Sequence, residues 1–347
     1  MTGWTRYIGH IVLVAVGLAA PFLFPNHQSQ MAELWLFIVF ALTWDLLGGQ
    51  MGYNSFGNVV FIGVGMYTCA LVQVGLIYSI SDYNAARGGG GTVFTFDYTQ
   101  YLEGLAVGLP AGAITGALAA IILGNFVLGM RGQYFAICTL GLGVAAAEIA
   151  NGWEWIGAGS GMTAPNAPAE IDDISRFYYF FAFVLAIVTF VAITWLLRTR
   201  FGLAVNAIRD DEDKAEAMGL PTKRIKVIAW TISGLFLGIA GGILGNVKRF
   251  IDPIDVAFSG STIGVWMVLM AILGGKGTLW GPVIGAIVFQ ITKELFWTYL
   301  LGWQRVALGL MIVLIVVFFP EGILGWVRER FPQLFGRRVQ SRAEEGR

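Results

Sequence analysis

Charge is what this sequence has least of: 13% of its 347 residues are Asp, Glu, Lys or Arg, about half the roughly 25% usual in soluble domains. With 56% hydrophobic residues and a mean hydropathy of +0.71, a chain this long lacks the polar surface to stay in water. That excludes a soluble enzyme and points to an all-α integral membrane protein. Histidine is nearly absent. His10 and His27 flank the first apolar run without a ligand partner nearby, so no metal site is expected. The two cysteines, Cys69 and Cys138, lie in apolar stretches with no disulfide or ligand spacing and read as buried thiols. Lys plus Arg (22) cancels Asp plus Glu (22), so the net charge gives no reason to expect a nucleic-acid partner.

Catalytic patterns are missing too. Gly274-Gly275-Lys276-Gly277-Thr278 resembles a phosphate loop, but Lys276 is followed by Gly277 and the position five before Gly275 is Met270. Gly-x-x-x-x-Gly-Lys followed by Ser or Thr is required, so the chain has no ATPase motor of its own. Gly159-Ser160-Gly161 lacks the flanking glycine spacing of a nucleophile elbow. No catalytic residue and no cofactor are expected in this chain.

What is present is hydrophobic length. A bilayer core of about 30 Å needs about 20 mostly apolar residues per helix. Ten candidate segments follow: 8–24, 31–49, 57–80, 102–129, 134–150, 176–197, 226–247, 260–275, 279–300 and 303–319. The short ones, 134–150 and 260–275, fit full crossing or a re-entrant path, since irregular backbone is tolerated where protein covers it. The first segment ends at Pro21 and Pro25 without a small-residue cleavage site and reads as a retained helix. If all ten cross, 16 Lys and Arg fall on the side of the N-terminus and 4 on the other. By the positive-inside rule both termini are then cytoplasmic. The division expected is a membrane domain over 1–325, with a cytoplasmic loop at 198–225, and a basic tail over 326–347.

Small residues recur at helix spacing. Gly108, Gly112, Gly116, Ala120 and Gly124 form one stripe, Gly234, Gly238 and Gly242 another, and Gly281 with Gly285 a third. Lipid supplies no hydrophobic drive between helices, so such stripes read as close packing seams. The outer segment 81–101 carries Gly88 to Gly91, and 151–175 carries Glu154, Glu170, Asp172 and Asp173 without a Lys or Arg. Polar residues inside spans are costly and mark pathways or helix bridges. Asp45, Asn58, Gln73, Asn125, Glu148, Asn246, Gln290, Lys293, Glu294 and Arg305 are of this kind. Asn58, Glu148 and Asn246 are the candidates for a translocation path; Lys293 and Glu294 read as a pair near a helix end. Paired acids and bases are too few to favour a proton-coupled transporter.

The most informative polar stretch is 198–226. Asp210 reads as an N-cap, with Asp211, Glu212 and Asp213 in the first turn, where the helix dipole favours anions. Gly219 and Pro221 form a stop signal. A helix near 211–218 that presents Ala215, Ala217 and Met218 among charges points to docking against a cytosolic partner.

This stretch resembles the LivM-type membrane subunit of ATP-binding-cassette importers for branched-chain and related amino acids. The matching segments are Arg200-Phe201-Gly202-Leu203-Ala204, Ile208-Arg209-Asp210-Asp211-Glu212 and Glu216-Ala217-Met218-Gly219. The run from Leu273 to Pro282 and the run from Arg131 to Leu140 match as well. The likeness covers roughly residues 35–325. It differs at Ser55-Phe56-Gly57-Asn58, where relatives often have His or Gln after Ser-Leu-Gly, and in the longer loop 81–101.

The resemblance implies a non-catalytic permease subunit, multi-pass in the inner membrane. Its implied partners are a second, LivH-type permease, two cytosolic ATPase subunits and an external amino-acid-binding protein. It further implies coupling to the ATPases through Arg209, Asp210, Glu212, Ala215, Glu216, Ala217, Met218 and Gly219. Import of urea or short amides is the alternative within this class. A secondary transporter is the alternative outside it, though no convincing repeat is present.

Overall fold

The computed structural model describes residues 8–86, 94–300, 302–303, 306–311, 313 and 322–330. Arg6, the run Gly88 to Gly91, Arg305, most of the segment 303–319 and the tail beyond 330 lie outside the described residues.

Two apolar helices open the chain, α1 (Ile8–Leu23) and α2 (Gln28–Gly48). From Trp35 to Gln50 every residue is buried. A helix apolar on all faces must be covered on all faces, and α2 accordingly packs against several neighbours. Next come α3 (Asn58–Gly75), the short α4 (Ile80–Ala86) and the 30-residue α5 (Tyr98–Val127). A capping box between Asp97 and Gln100 starts α5. Then follow α6 (Gly132–Gly152), α7 (Ile174–Leu197), α8 (Arg200–Asp210), α9 (Glu212–Ala217) and α10 (Thr222–Lys248). Two π-helical turns, Pro253–Ala257 and Gly260–Gly264, lead into α11 (Val265–Gly274), followed by α12 (Gly281–Tyr299). The last described helix, α13 (Gly322–Arg330), packs against α11 and α12. It runs across position 325, where the sequence suggested a boundary between bundle and tail.

Among the described residues, seven helical runs are long and apolar enough to cross a membrane: α2, α3, α5, α6, α7, α10 and the broken run Pro253–Gly274. The segments expected at 134–150 and 260–275 are therefore longer than they read in the sequence, because α6 starts at Gly132 and the π turns extend α11 backwards. Of the other expected spans, α1 is a shorter apolar helix and α12 carries Lys293 and Glu294. The chain is an all-α, multi-pass membrane protein.

The centre is a three-helix seam. Trp230 Nε1 donates to Asn58 Oδ1 (2.7 Å) at one end of α3, and Asn246 faces Cys69 further along, so α3 and α10 run parallel. α5 crosses both in the opposite direction: Gly104 lies against Gln73, Gly108 against Cys69, and Gly116 against Gly234. A Cβ at Gly112 would lie 3.1 Å from the carbonyl oxygens of both Gly65 and Gly238, and one at Gly116 would overlap the Gly234 carbonyl. The stripes of α5 and α10 are thus one contact, where backbones touch because side chains are absent. Leu118, on the other side of α5, is exposed. At the end away from α8 and α9, a two-residue antiparallel pairing of Met162–Thr163 with Phe250–Ile251 closes the bundle. Cys69 is a buried free thiol and Cys138 a half-buried one.

Candidate coupling hairpin and path residues

The stretch 198–221 folds as a helical hairpin at one end of the bundle. Thr199 caps α8, its Oγ1 accepting from Phe201 N at 3.2 Å. Gly202 then lies flat against the Leu197 carbonyl, where any Cβ would overlap. That close approach explains the glycine of Arg200-Phe201-Gly202-Leu203-Ala204: it lets α8 fold back on the last turn of α7. Gly202, Val205 and Ile208 are buried on one face of α8, whereas Leu203 stands 72% exposed.

Asp211, not Asp210, caps the second helix: its carboxylate accepts from Lys214 N at 3.0 Å, while Asp210 closes α8. The side-chain hydrogen bond from Lys214, then the backbone hydrogen bond from Lys214 and its charge, hold the Asp211 carboxyl below its ordinary range. Gly219 ends the helix at φ +86°, in the left-handed region that glycine tolerates best, and its N–H returns to Glu216 O at 2.8 Å. Ala215 does not face outward as the sequence suggested. It is fully buried, because α9 lies on its side against the bundle. Ala217 and Met218 are exposed, Met218 by 72%.

Glu212 is the centre of the hairpin's attachment. One carboxylate oxygen accepts from Lys226 Nζ at 2.7 Å; the other accepts from the Tyr53 hydroxyl and lies 3.6 Å from Arg131 Nε. Lys226 is 2% exposed and also sits 4.4 Å over the Tyr53 ring. Burial works to raise the Glu212 carboxyl, but the hydrogen bonds from Lys226 and Tyr53 and the charges of Lys226 and Arg131 outweigh it, leaving it below the ordinary range. Burial, and then the hydrogen bond to Glu212, push the Tyr53 hydroxyl up. Arg131 also pairs with Asp213 and, at 3.4 Å, with Glu216, whose other oxygen accepts from Thr222 Oγ1 at 2.5 Å.

Three membrane elements therefore meet at α9: the 49–57 loop through Tyr53, the start of α6 through Arg131 and the start of α10 through Lys226. The run Arg131 to Leu140 accounts for part of this. Phe135 packs edge-on to Tyr53 at 5.3 Å between ring centres, and Thr139 Oγ1 accepts from Phe56 N at 3.1 Å. Arg209 pairs with the neighbouring Asp210 at 3.3 Å and runs alongside Gly52 and Gly277. The Gly277 turn is itself held to α2, because Asp45 accepts from Gly277 N at 2.7 Å and from Gln50 Nε2 at 3.1 Å. Gly277 has φ +75°, which accounts for a glycine in this turn of the Leu273 to Pro282 run.

Of the coupling residues expected from sequence, Glu212 and Glu216 lie in this network, and Arg209, Asp210, Ala217, Met218 and Gly219 lie on the hairpin's exposed side. Tyr53, Thr222 and Lys226 were missed. The available signal was Lys226 itself, a lysine with only Val227 and Ile228 between it and the buried Ala229-Trp230 pair.

The three path candidates do not converge. Asn58 is buried near the hairpin end, holding Trp230, and its amide nitrogen has no hydrogen-bond partner. Asn246 is buried at the other end of the α3–α10 pair, donating to Gly242 O at 2.9 Å, with its Oδ1 unpartnered. It lines a cavity of about 180 Å³ with Ser29, Tyr178 and Arg249. Glu148 points out from α6, on a face that also exposes Val144 and Ile149.

Relatives of the chain include permease proteins of branched-chain amino acid transport. The family described as branched-chain amino acid transport system / permease component matches residues 30–318. The high-affinity branched-chain amino acid transport system permease protein LivM of Escherichia coli is 28% identical, covering 88% of this chain and 74% of its own length. A probable LivM of Methanocaldococcus jannaschii is 26% identical over 85% of this chain and 92% of its own. The LivH permease protein of Escherichia coli is 31% identical over a shorter stretch, 41% of this chain and 46% of its own. No solved structure matches the chain.

Proposed function

The chain belongs to the permease components of branched-chain amino acid transport systems, and from that premise we propose that it forms half of the path of an ATP-driven importer for branched-chain or other neutral amino acids. A second, LivH-type permease supplies the other half, and similarity to relatives of both kinds supports that pairing. In this reading the complex lies in the inner membrane, with ten segments crossing and the α8–α9 hairpin and both termini cytoplasmic. An external binding protein delivers the amino acid to the far side. Two cytosolic ATPase subunits grip the hairpin.

The observation that carries the proposal is the two-sidedness of the hairpin. Its outer side offers Leu203 and Met218, each 72% exposed, beside Ala217 and charged neighbours; exposed apolar groups rimmed by charge suit a protein partner. Its inner side ties Glu212 to three membrane elements, and at its edge Asp213 and Glu216 pair with Arg131. A displacement imposed on the outer side would therefore move α6, α10 and the α2–α3 loop together, as alternating access requires. Glu148 fits the same reading: a carboxylate facing lipid is costly, so the outward face of α6 suits the seam with the second permease, where the path runs.

The test is ATP hydrolysis stimulated by loaded binding protein in the reconstituted complex. Met218→Asp and Leu203→Asp, neither of which touches the ion network, are expected to abolish stimulation and co-purification of the ATPase subunits. Full stimulation in both variants would place the coupling contact elsewhere.

A further inference from the structure

At the end of the bundle opposite the hairpin, four side chains form an alternating row of charge. Lys248, the last residue of α10, pairs with Glu33 of α2; the other Glu33 oxygen lies 3.0 Å from Lys293 of α12; and Lys293 lies 3.5 Å from Glu294. The sequence reading paired Lys293 with Glu294 alone, but the stronger partner comes from another helix. The two inner members are largely withdrawn from water, with side chains 14% (Glu33) and 9% (Lys293) exposed, whereas the two ends are open, Lys248 at 45% and Glu294 at 39%. One oxygen of Glu294 accepts from Gln290 Nε2 at 3.1 Å, and the other has no partner among the described residues.

Both open ends line the same cavity, of about 370 Å³. That is near the lower end of the roughly 300–1,000 Å³ of small-molecule sites. Its remaining wall is mostly apolar, with Trp266, Trp297, Ile263 and Leu244, and polar only at Ser29 and Gln30. The row has no net charge, yet its partly exposed ends present to one pocket a cation, Lys248, whose ammonium also pairs with Glu33, and an anion, Glu294, with one carboxylate oxygen open. A simple cation or anion meets one matching end and one repelling end. A zwitterion with an apolar side chain satisfies all three features.

We infer that this cavity is a binding site for a free α-amino acid with an apolar side chain. Lys248 takes the carboxylate, Glu294 takes the ammonium group, and the Trp266–Trp297 wall receives the side chain. Glu33 and Lys293 are positioning residues that hold the two ends apart and fix their orientation. Charge-assisted hydrogen bonds at each end make recognition of both charged groups of the ligand specific. The inference rests on the transport reading for its biological sense, since it places a receiving site at the face where a binding protein would unload, but it is tested by binding alone.

The experiment is equilibrium dialysis of radiolabelled L-leucine against the reconstituted permease–ATPase complex, without binding protein, in phosphatidylcholine nanodiscs. Saturable binding is expected, with leucinamide and 4-methylpentanoate competing about tenfold more weakly than leucine. In Glu294→Gln, 4-methylpentanoate should compete as well as leucine; in Lys248→Gln, leucinamide should. Both substitutions fall at the exposed ends, so a folded complex is retained, and an unchanged elution profile checks it. No saturable binding, or binding with unaltered discrimination in both variants, overturns the site. Loss of leucine binding when phosphatidylethanolamine replaces part of the lipid marks it as a headgroup site and overturns it too. ATP-driven leucine uptake with binding protein present is scored separately: import without leucine binding here sinks this inference alone, and binding here without import sinks the transport reading alone.

Discussion

Lys226 is 2% exposed, and an ammonium withdrawn this far from water keeps its charge only beside a partner. Glu212 is that partner, so Glu212→Gln should cost the docked hairpin on the order of 3–5 kcal/mol, the range for a buried charge left alone. The expected outcome is faster trypsin cleavage between Arg198 and Lys223, with protection regained when Lys226→Met is added. No recovery would mean that Glu212 acts through Tyr53 or Arg131 instead. The same carboxyl sets a pH dependence. Its value in the docked state lies below the ordinary range, about 4.3 for Glu, so the undocked state takes up a proton first as pH falls. Docking stability from this group is therefore complete above the ordinary Glu range and is lost as pH drops through the depressed value. Hydrogen exchange of 198–222, corrected for intrinsic rates, should be level from pH 8 to 5 and rise below it; in Glu212→Gln that rise should be smaller, the remainder coming from the depressed Asp211 carboxyl. Sequence reading reached Glu212 because acids near a capped helix start are a local pattern. It missed Tyr53 and Lys226 because their role arises from contacts across 159 and 14 residues, which no local spacing records.

At the scale of elements, what was legible follows period. Among the described residues, the apolar runs that a period of 3.6 and a length near 20 could pick out are helical, and the small-residue stripes of α5 and α10 face each other. Orientation on a helix is periodic information, so composition carries it. The depth of Ala215 was not legible, because a six-residue helix has too few turns to declare a buried face, and α8 was read as loop because its apolar face is only Val205 and Ile208 beside Gly202. The seam makes a direct prediction. Gly116→Leu forces a side chain into the Gly234 carbonyl and should impair assembly by about 1–3 kcal/mol or more, the usual cost of overpacking. Leu118→Ala, on the exposed side, should leave the thermal midpoint of the purified complex within a degree or two of wild type. Equal midpoints for the two variants would remove the seam from the account. Gly219→Val probes the hairpin's turn instead. Nothing lies within 4 Å of a Cβ there, so its effect should come from backbone strain at φ +86°, about 1–2 kcal/mol. Gly219→Asn, which tolerates the left-handed region, should be milder; an Asn variant as damaging as Val would point to a partner contact at that position.

For the whole molecule, the distribution of charge between the two ends is the strongest sequence signal, and the fold arranges its loops accordingly. The hairpin, the 49–57 loop, Arg131 and the Gly277 turn gather at one end, while Lys248, Arg249 and the Met162–Ile251 pairing close the other. Four loops that sequence counting assigns to one side are thus brought into mutual contact. Which end faces the cytoplasm is a question for chemistry in cells. Asp213 has a side chain 80% exposed, and Trp153, at the far end of α6, is 53% exposed. With Cys69 and Cys138 replaced by Ala, Asp213→Cys should react with an impermeant maleimide only after the cells are opened, and Trp153→Cys should react in intact cells. The paired design matters, since a cysteine that never reacts could simply be covered by a partner subunit. Reaction of Asp213→Cys in intact cells together with protection of Trp153→Cys would invert the molecule, put the hairpin outside the reach of any cytosolic ATPase, and leave the importer reading without its coupling element.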